Sequence, residues 1–142
     1  MDEKPKAYDK FRQEIEDLKD QLLKMAGLAE AALNQVIKAL LTRDSDLARE
    51  VIHGDKAIND LEEELDEACV RIVALYQPVA TDLRQVMAVD HLIVELERLG
   101  DLAVNVAEEV LNLEQLPETE LHRDLSRICL LYTSDAADEI VG

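Results

Sequence analysis

Apolar positions recur three and four apart over most of the chain, the period of helices that bury one stripe each. From about Ala7 to Arg43 the stripe is Phe11, Ile15, Leu18, Leu22, Met25, Ala29, Ala32, Val36 and Ala39. Leu28, Leu33, Ile37 and Leu40 widen it in the second half, which should therefore meet more neighbours. Arg43-Asp44-Ser45-Asp46 ends this helix, and Asp44 or Ser45 is placed to accept the orphan amides of the next one. The second helix is predicted from about Asp46 to Tyr76 on Leu47, Val51, Gly54, Ile58, Leu61, Leu65, Ala68, Ile72 and Leu75, with Glu62, Glu63, Asp66 and Glu67 on its solvated side. Pro78 disfavours helix at Gln77, Thr81 is the expected N-cap of a third helix, and Asp82 suits that helix's positive start.

The third segment reaches about Leu113, and its stripe is unusual. Its seam reads Leu83, Met87, Asp90, Val94, Glu97, Asp101, Val104, Glu108 and Leu111, so four inward positions are carboxylates with no base among them. A carboxylate taken out of water without a partner is costly enough to shift its pKa or recruit a cation. Glu97, Asp101 and Asn105 stand at i, i+4 and i+8 and line one side over two turns, and oxygen ligands so placed suit a hard or borderline metal ion. Asp90 and Glu108 extend the set as weaker candidates. A second apolar side, Leu92, Leu96, Leu99, Leu102, Val106 and Val110, calls for a further neighbour beyond two helices.

Short connections make the three helices antiparallel neighbours, an all-α three-helix bundle over residues 7–113. Counting back from the turns sets Glu97 level with Leu61 and Leu28, and Asp101 level with residues 56–58 and 31–33. The acidic layers then fall beside the small residues Ala29, Ala32 and Gly54, which would leave room for solvent or ions. After Pro117, residues 117–131 open another amphipathic pattern through Leu121, Leu125, Ile128 and Leu131, the start of a fourth helix, and residues 132–142 change character.

Composition narrows the function. The 142 residues carry a net charge of -17, which repels nucleic acid and anionic lipid and attracts cations and basic surfaces. The N-terminus has no apolar run of a signal peptide, no stretch approaches a membrane span, and Cys69 and Cys129 form no CxxC, so a reduced cytoplasmic protein is expected. Cys69 reads as a core residue, and His91 and His122 as surface residues. Glu50 and His53 make one E-x-x-H, but di-iron carboxylate bundles need two plus bridging acids. Glu62 and Asp66 repeat the acid-xxx-Asp spacing on what reads as a solvated face. No nucleophile–base pair, phosphate-cradling glycine loop or Rossmann pattern is visible, so no enzymatic activity is expected.

Gln77-Pro78-Val79-Ala80-Thr81-Asp82-Leu83-Arg84 and Glu95-Leu96-Glu97-Arg98-Leu99-Gly100-Asp101-Leu102-Ala103-Val104-Asn105 resemble the PhoU family, with support from Asp55, Ile58 and the Met25–Leu41 stretch. The resemblance covers roughly residues 8–112 and corresponds to one of the two tandem three-helix repeats usual in the family. It implies a cytoplasmic negative regulator of phosphate uptake and of phosphate-starvation signalling. The implied partners are the phosphate transporter ATPase and a membrane sensor kinase, with contact to membrane only through them. The family's metal motif, an acid, three residues and an Asp, falls on Glu97 and Asp101, and implies iron, or zinc or manganese, in a multinuclear site. Residues 117–131 would open a truncated second repeat, 132–142 do not resemble the family, and the uncovered apolar side implies a homodimer. The alternatives are a structural helical interaction module whose acidic seam is only hydrated and, much further off, a carboxylate-bridged metal oxidase.

Overall fold

The computed structural model describes residues 6–117 and the isolated positions 123, 124, 127 and 131. Within them lie α1 (Lys6–Thr42), α2 (Ser45–Tyr76) and α3 (Ala80–Leu113), each packed on the other two in an up-down-up bundle. At 1.5 Å per residue each helix is roughly 50 Å long. Of the expected fourth helix only positions 123, 124, 127 and 131 are described, each helical; Cys129, His122 and the segments 118–122 and 132–142 lie outside the described residues.

The connections are tight. Arg43 takes a left-handed conformation after Thr42, and the Asp44 amide donates to the Ala39 carbonyl at 2.9 Å, closing the end of α1. The Asp44 carboxylate accepts from the Leu47 amide at 3.1 Å and so caps α2, as its position in the sequence suggests. At the second connection Gln77 is left-handed and its amide donates to the Val73 carbonyl at 3.1 Å. Thr81 is not the cap. α3 begins two residues earlier than that cap implies, after an extended Val79 that offers no capping side chain, and Ala80 sits at φ 51°. The left-handed Ala80 swings the chain into the helix before Thr81 is reached.

The core follows the stripes of α1 and α2. Phe11, Ile15, Leu18, Met25, Ala29, Val36 and Ala39 are buried on α1, and Val51, Ile58, Leu61, Leu65, Ala68 and Ile72 on α2. Leu75 and Gly54, assigned to the α2 seam by periodicity, are exposed. Cys69 is buried as expected. Toward the α1–α2 turn the core is built of small residues, with Ala39, Ala48, Ala103 and Ala107 packed around Val36, Val51 and Val110. Ala29 is likewise fully buried, so these alanines let the helices approach closely. The space expected beside Ala32 and Gly54 is present as a cavity of about 130 Å³ between α1 and α2, but neither Glu97 nor Asp101 lines it.

α3 is rotated relative to the sequence reading. Its buried positions are Val86, Val89, Ile93, Gly100, Ala103, Ala107 and Val110, each one residue before a member of the carboxylate-bearing seam. One residue is about 100° of helix rotation. Met87, Asp90, Val94, Asp101 and Glu108 are therefore exposed, while Glu97 is half-buried. No charged or polar residue is buried among the described ones. That is the outcome the cost of burying an unpaired carboxylate demands.

Candidate functional site: a carboxylate row along the α2–α3 groove

The rotation of α3 turns its acidic seam onto the flank of α2, where it meets a second row. Asp55, Glu62 and Asp66 on α2 are spaced seven and four apart, and Asp101, Glu97 and Asp90 on α3 descend beside them. Glu62 and Glu97 lie close enough to share a hydrogen bond when one keeps its proton, and Glu62 also feels Asp66 and Asp101. Burial first, then the hydrogen bond and the negative charge of Glu97, push the Glu62 carboxyl up to about 7. Asp55 is raised by burial and by Asp101 and Glu97, against the opposing hydrogen bond from Asn59 Nδ2 at 3.2 Å. Asp66 is raised by burial, then by Asp90 and Glu97.

No base among the described residues relieves this row. Among the described residues no ion pair includes Asp55, Glu62, Asp66, Asp90, Glu97 or Asp101. Lys56 and Arg98, next in sequence to Asp55 and Glu97, pair with other acids: Lys56 with Asp60 at 3.6 Å and Arg98 with Glu95 at 3.3 Å.

Gly100 fixes how closely the two rows approach. It is buried against α2, and a Cβ placed there would stand 3.1 Å from Asp55 Oδ1 and 3.4 Å from Ile58 Cδ1. The absent side chain lets the Asp55 carboxylate lie beside the turn of α3 that carries Glu97 and Asp101.

The sequence-derived site residues separate into three groups. Glu97 and Asp101 stand in the row, and Asp90 continues it toward Cys69. Asn105 and Glu108 are exposed further up α3. Glu62 and Asp66, read from sequence as a solvated face, are half-buried and exposed respectively, and they also form the α2 half of the row. The level count that set Glu97 opposite Leu61 was the signal that finds them. Glu50 and His53 are exposed, and Glu50 borders a cavity of about 130 Å³ between α1 and α2, away from the row. His91 is exposed, as expected.

The donor set is all oxygen, which suits a hard or borderline divalent cation in kind. In arrangement, no three His, Cys, Asp or Glu side chains among the described residues are gathered about one point. Glu62 and Glu97, with Asp55 and Asp101, are the residues that would hold a cation here.

The fold and groove define a three-helix bundle with paired carboxylates between its last two helices. A family model described as PhoU domain matches residues 22–110. The chain belongs to the PhoU family. It is 46% identical over 101 residues to the phosphate-specific transport system accessory protein PhoU of Escherichia coli K12, covering 71% of this chain and 42% of that protein. It is 42% identical over 133 residues to the PhoU homolog of Aquifex aeolicus, covering 94% of this chain and 60% of that one. The crystal structure of PhoU from Pseudomonas aeruginosa superposes with a TM-score of 0.76 at 36% identity, covering 92% of this chain and 65% of that chain. The chain spans about half the length of the curated relatives it matches. No helix among the described residues is long and apolar enough to cross a membrane.

Proposed function

We propose that the chain is a regulatory adaptor of phosphate uptake whose α2–α3 groove takes up divalent metal. The regulatory part of this reading draws on relatives named as accessory proteins of a phosphate-specific transport system. Family resemblance supplies the transporter ATPase and a membrane sensor kinase as partners, a negative effect on phosphate-starvation signalling, and the cytoplasm as the setting. The metal part is carried by the closeness of Glu62 and Glu97, two carboxyl groups facing each other across the groove with no basic partner among the described residues. Glu97 and Asp101, with Glu62 and Asp55 opposite, are the proposed ligands; Asn105, Asp90 and Glu108 extend the row. Iron, zinc or manganese would neutralise the acids and bridge the two helices.

Elemental mass spectrometry of protein purified without a histidine tag or chelator tests this reading. Stoichiometric metal that disappears in a folded Glu97→Ala, Asp101→Ala double variant supports it. Metal in neither protein, even after incubation with iron, overturns the metal part.

A second reading, an interaction module with a merely hydrated groove, has its own supporting observation: no three donors converge among the described residues. The oxidase reading has no such support, because Glu50 and His53 face away from the carboxylate row. The exposed Leu92, Leu99 and Leu102 on α3 form the side proposed to self-associate. Size-exclusion chromatography with light scattering on Leu102→Glu tests that homodimer.

A further inference from the structure

The α2–α3 groove does not end with its carboxylates. Beyond Asp66 and Asp90, continuing the same two helix faces, it becomes an apolar pit of about 330 Å³ lined by Cys69, Val70, Val73, Ala74, Val86 and Met87, with Asp90 at its edge. Val70 is 69% exposed, Met87 55% and Val73 38%. One groove therefore presents an uncovered apolar end and an acidic run beside it. From Asp55 to Ala74 it extends roughly 30 Å along α2, the length of about five helical turns.

We propose that this groove is a docking site for a helical segment of a protein partner that is apolar at one end and basic along the rest. The apolar end would seat a leucine-sized side chain between Val70, Val73 and Met87. Lysines or arginines three and four residues apart would then run past Asp66 and Asp90 to Glu62 and Glu97. The choice of occupant rests on charge complementarity. A second copy of this chain, at a net charge of -17, would bring acid against acid at this groove. A basic segment instead supplies the cations that no ion pair of the described residues provides. The proposal rests on the adaptor reading only in supposing a protein partner, and it does not require metal.

The test uses a fluorescent helical peptide of about 18 residues, with leucines at one end and lysines three and four apart along the rest. Its controls have every lysine replaced by glutamine, or the order scrambled. Binding by anisotropy should weaken about tenfold or more in Val70→Glu and in Met87→Glu, both exposed positions where folding is checked by circular dichroism. It should also weaken, with a shallower salt dependence, in Asp66→Asn combined with Asp90→Asn. A photocrosslinker at position 70 reads the occupant directly, and its product should be the peptide. Equal binding of the glutamine peptide, indifference to both glutamate substitutions, or crosslinks to a second copy or to residues 118–142 would each overturn the proposal. Repeating the titration in chelator separates it from the metal reading, since loss of metal alone should leave peptide binding intact.

Discussion

The carboxyl groups of Glu62 and Glu97, on different helices, lie within hydrogen-bonding reach of each other across the α2–α3 groove. Such a contact holds only while one of the two keeps its proton, so the pair links the packing of α2 on α3 to pH. Glu62 is raised from 4.5 to about 7. It binds its proton more tightly folded than unfolded, so its stabilising effect is complete below the unfolded value and is lost as pH rises through about 7. The raised Asp55 and Asp66 act in the same direction. Glu62→Gln, which cannot ionise, should match the parent at about pH 5 and exceed it by about 1 kcal/mol above pH 7, after allowing for screening by solvent. Urea midpoints at the two pH values measure this.

Divalent cations should have the opposite pH dependence. Manganese or zinc competes with protons for the same oxygens, so the gain in Tm on adding metal should be small at acid pH and grow as pH rises past about 7. The gain should vanish in the Glu97→Ala, Asp101→Ala variant and shrink in Asp55→Asn. Thermal melts with and without metal across the pH range give the answer.

Gly100→Ala separates the site from the fold. Alanine gains about 1 kcal/mol of helix propensity over glycine, while its methyl group presses on Asp55 Oδ1 and Ile58. The two effects should nearly cancel in stability, to within about 1 kcal/mol. The displaced Asp55 carboxylate should still weaken metal uptake, as titration calorimetry on the folded variant would show.

The two helix starts should respond differently. Asp44→Ala removes the oxygen that accepts from Leu47 N and should cost about 1 kcal/mol. Thr81→Ala, in the first turn of a helix whose N-cap is Val79, should cost less than about 0.5 kcal/mol. Paired denaturation curves distinguish them.

The core should be least forgiving at Leu65, which is fully buried within the larger apolar cluster. Leu65→Ala should cost about 3 kcal/mol, within the range for leucine truncation in a packed core. Exposed Leu75→Ala, by contrast, should be nearly silent in the same denaturation assay.

The bundle was legible in the sequence where large apolar residues mark the stripe. Ile15, Leu18 and Met25 on α1 and Ile58, Leu65 and Ile72 on α2 lie where periodicity puts them. α3 misleads because its buried stripe includes Gly100, Ala103 and Ala107, whose smallness allows close packing without announcing it. The row one residue on, with Met87 and Val94, looks as good a seam. Glu97 and Asp101 were legible as a pair worth explaining. Glu62, Asp66 and Asp55 were hidden because their meaning comes from α3 and not from their own helix. A solvated acidic face and half of a two-helix row have the same sequence pattern.

At the other end of the bundle, one Arg43 nitrogen donates to the carbonyls of both Leu113 and Leu116, tying the last turn of α3 to the bend between α1 and α2. Arg49 reaches Glu114 at 3.4 Å beside it. Residues 113–116 are thus latched to the bend between the first two helices. The direction of the chain over residues 113–117 is set by two arginine side chains, Arg43 and Arg49. Shifting Arg43 would re-aim that direction without touching the groove between α2 and α3.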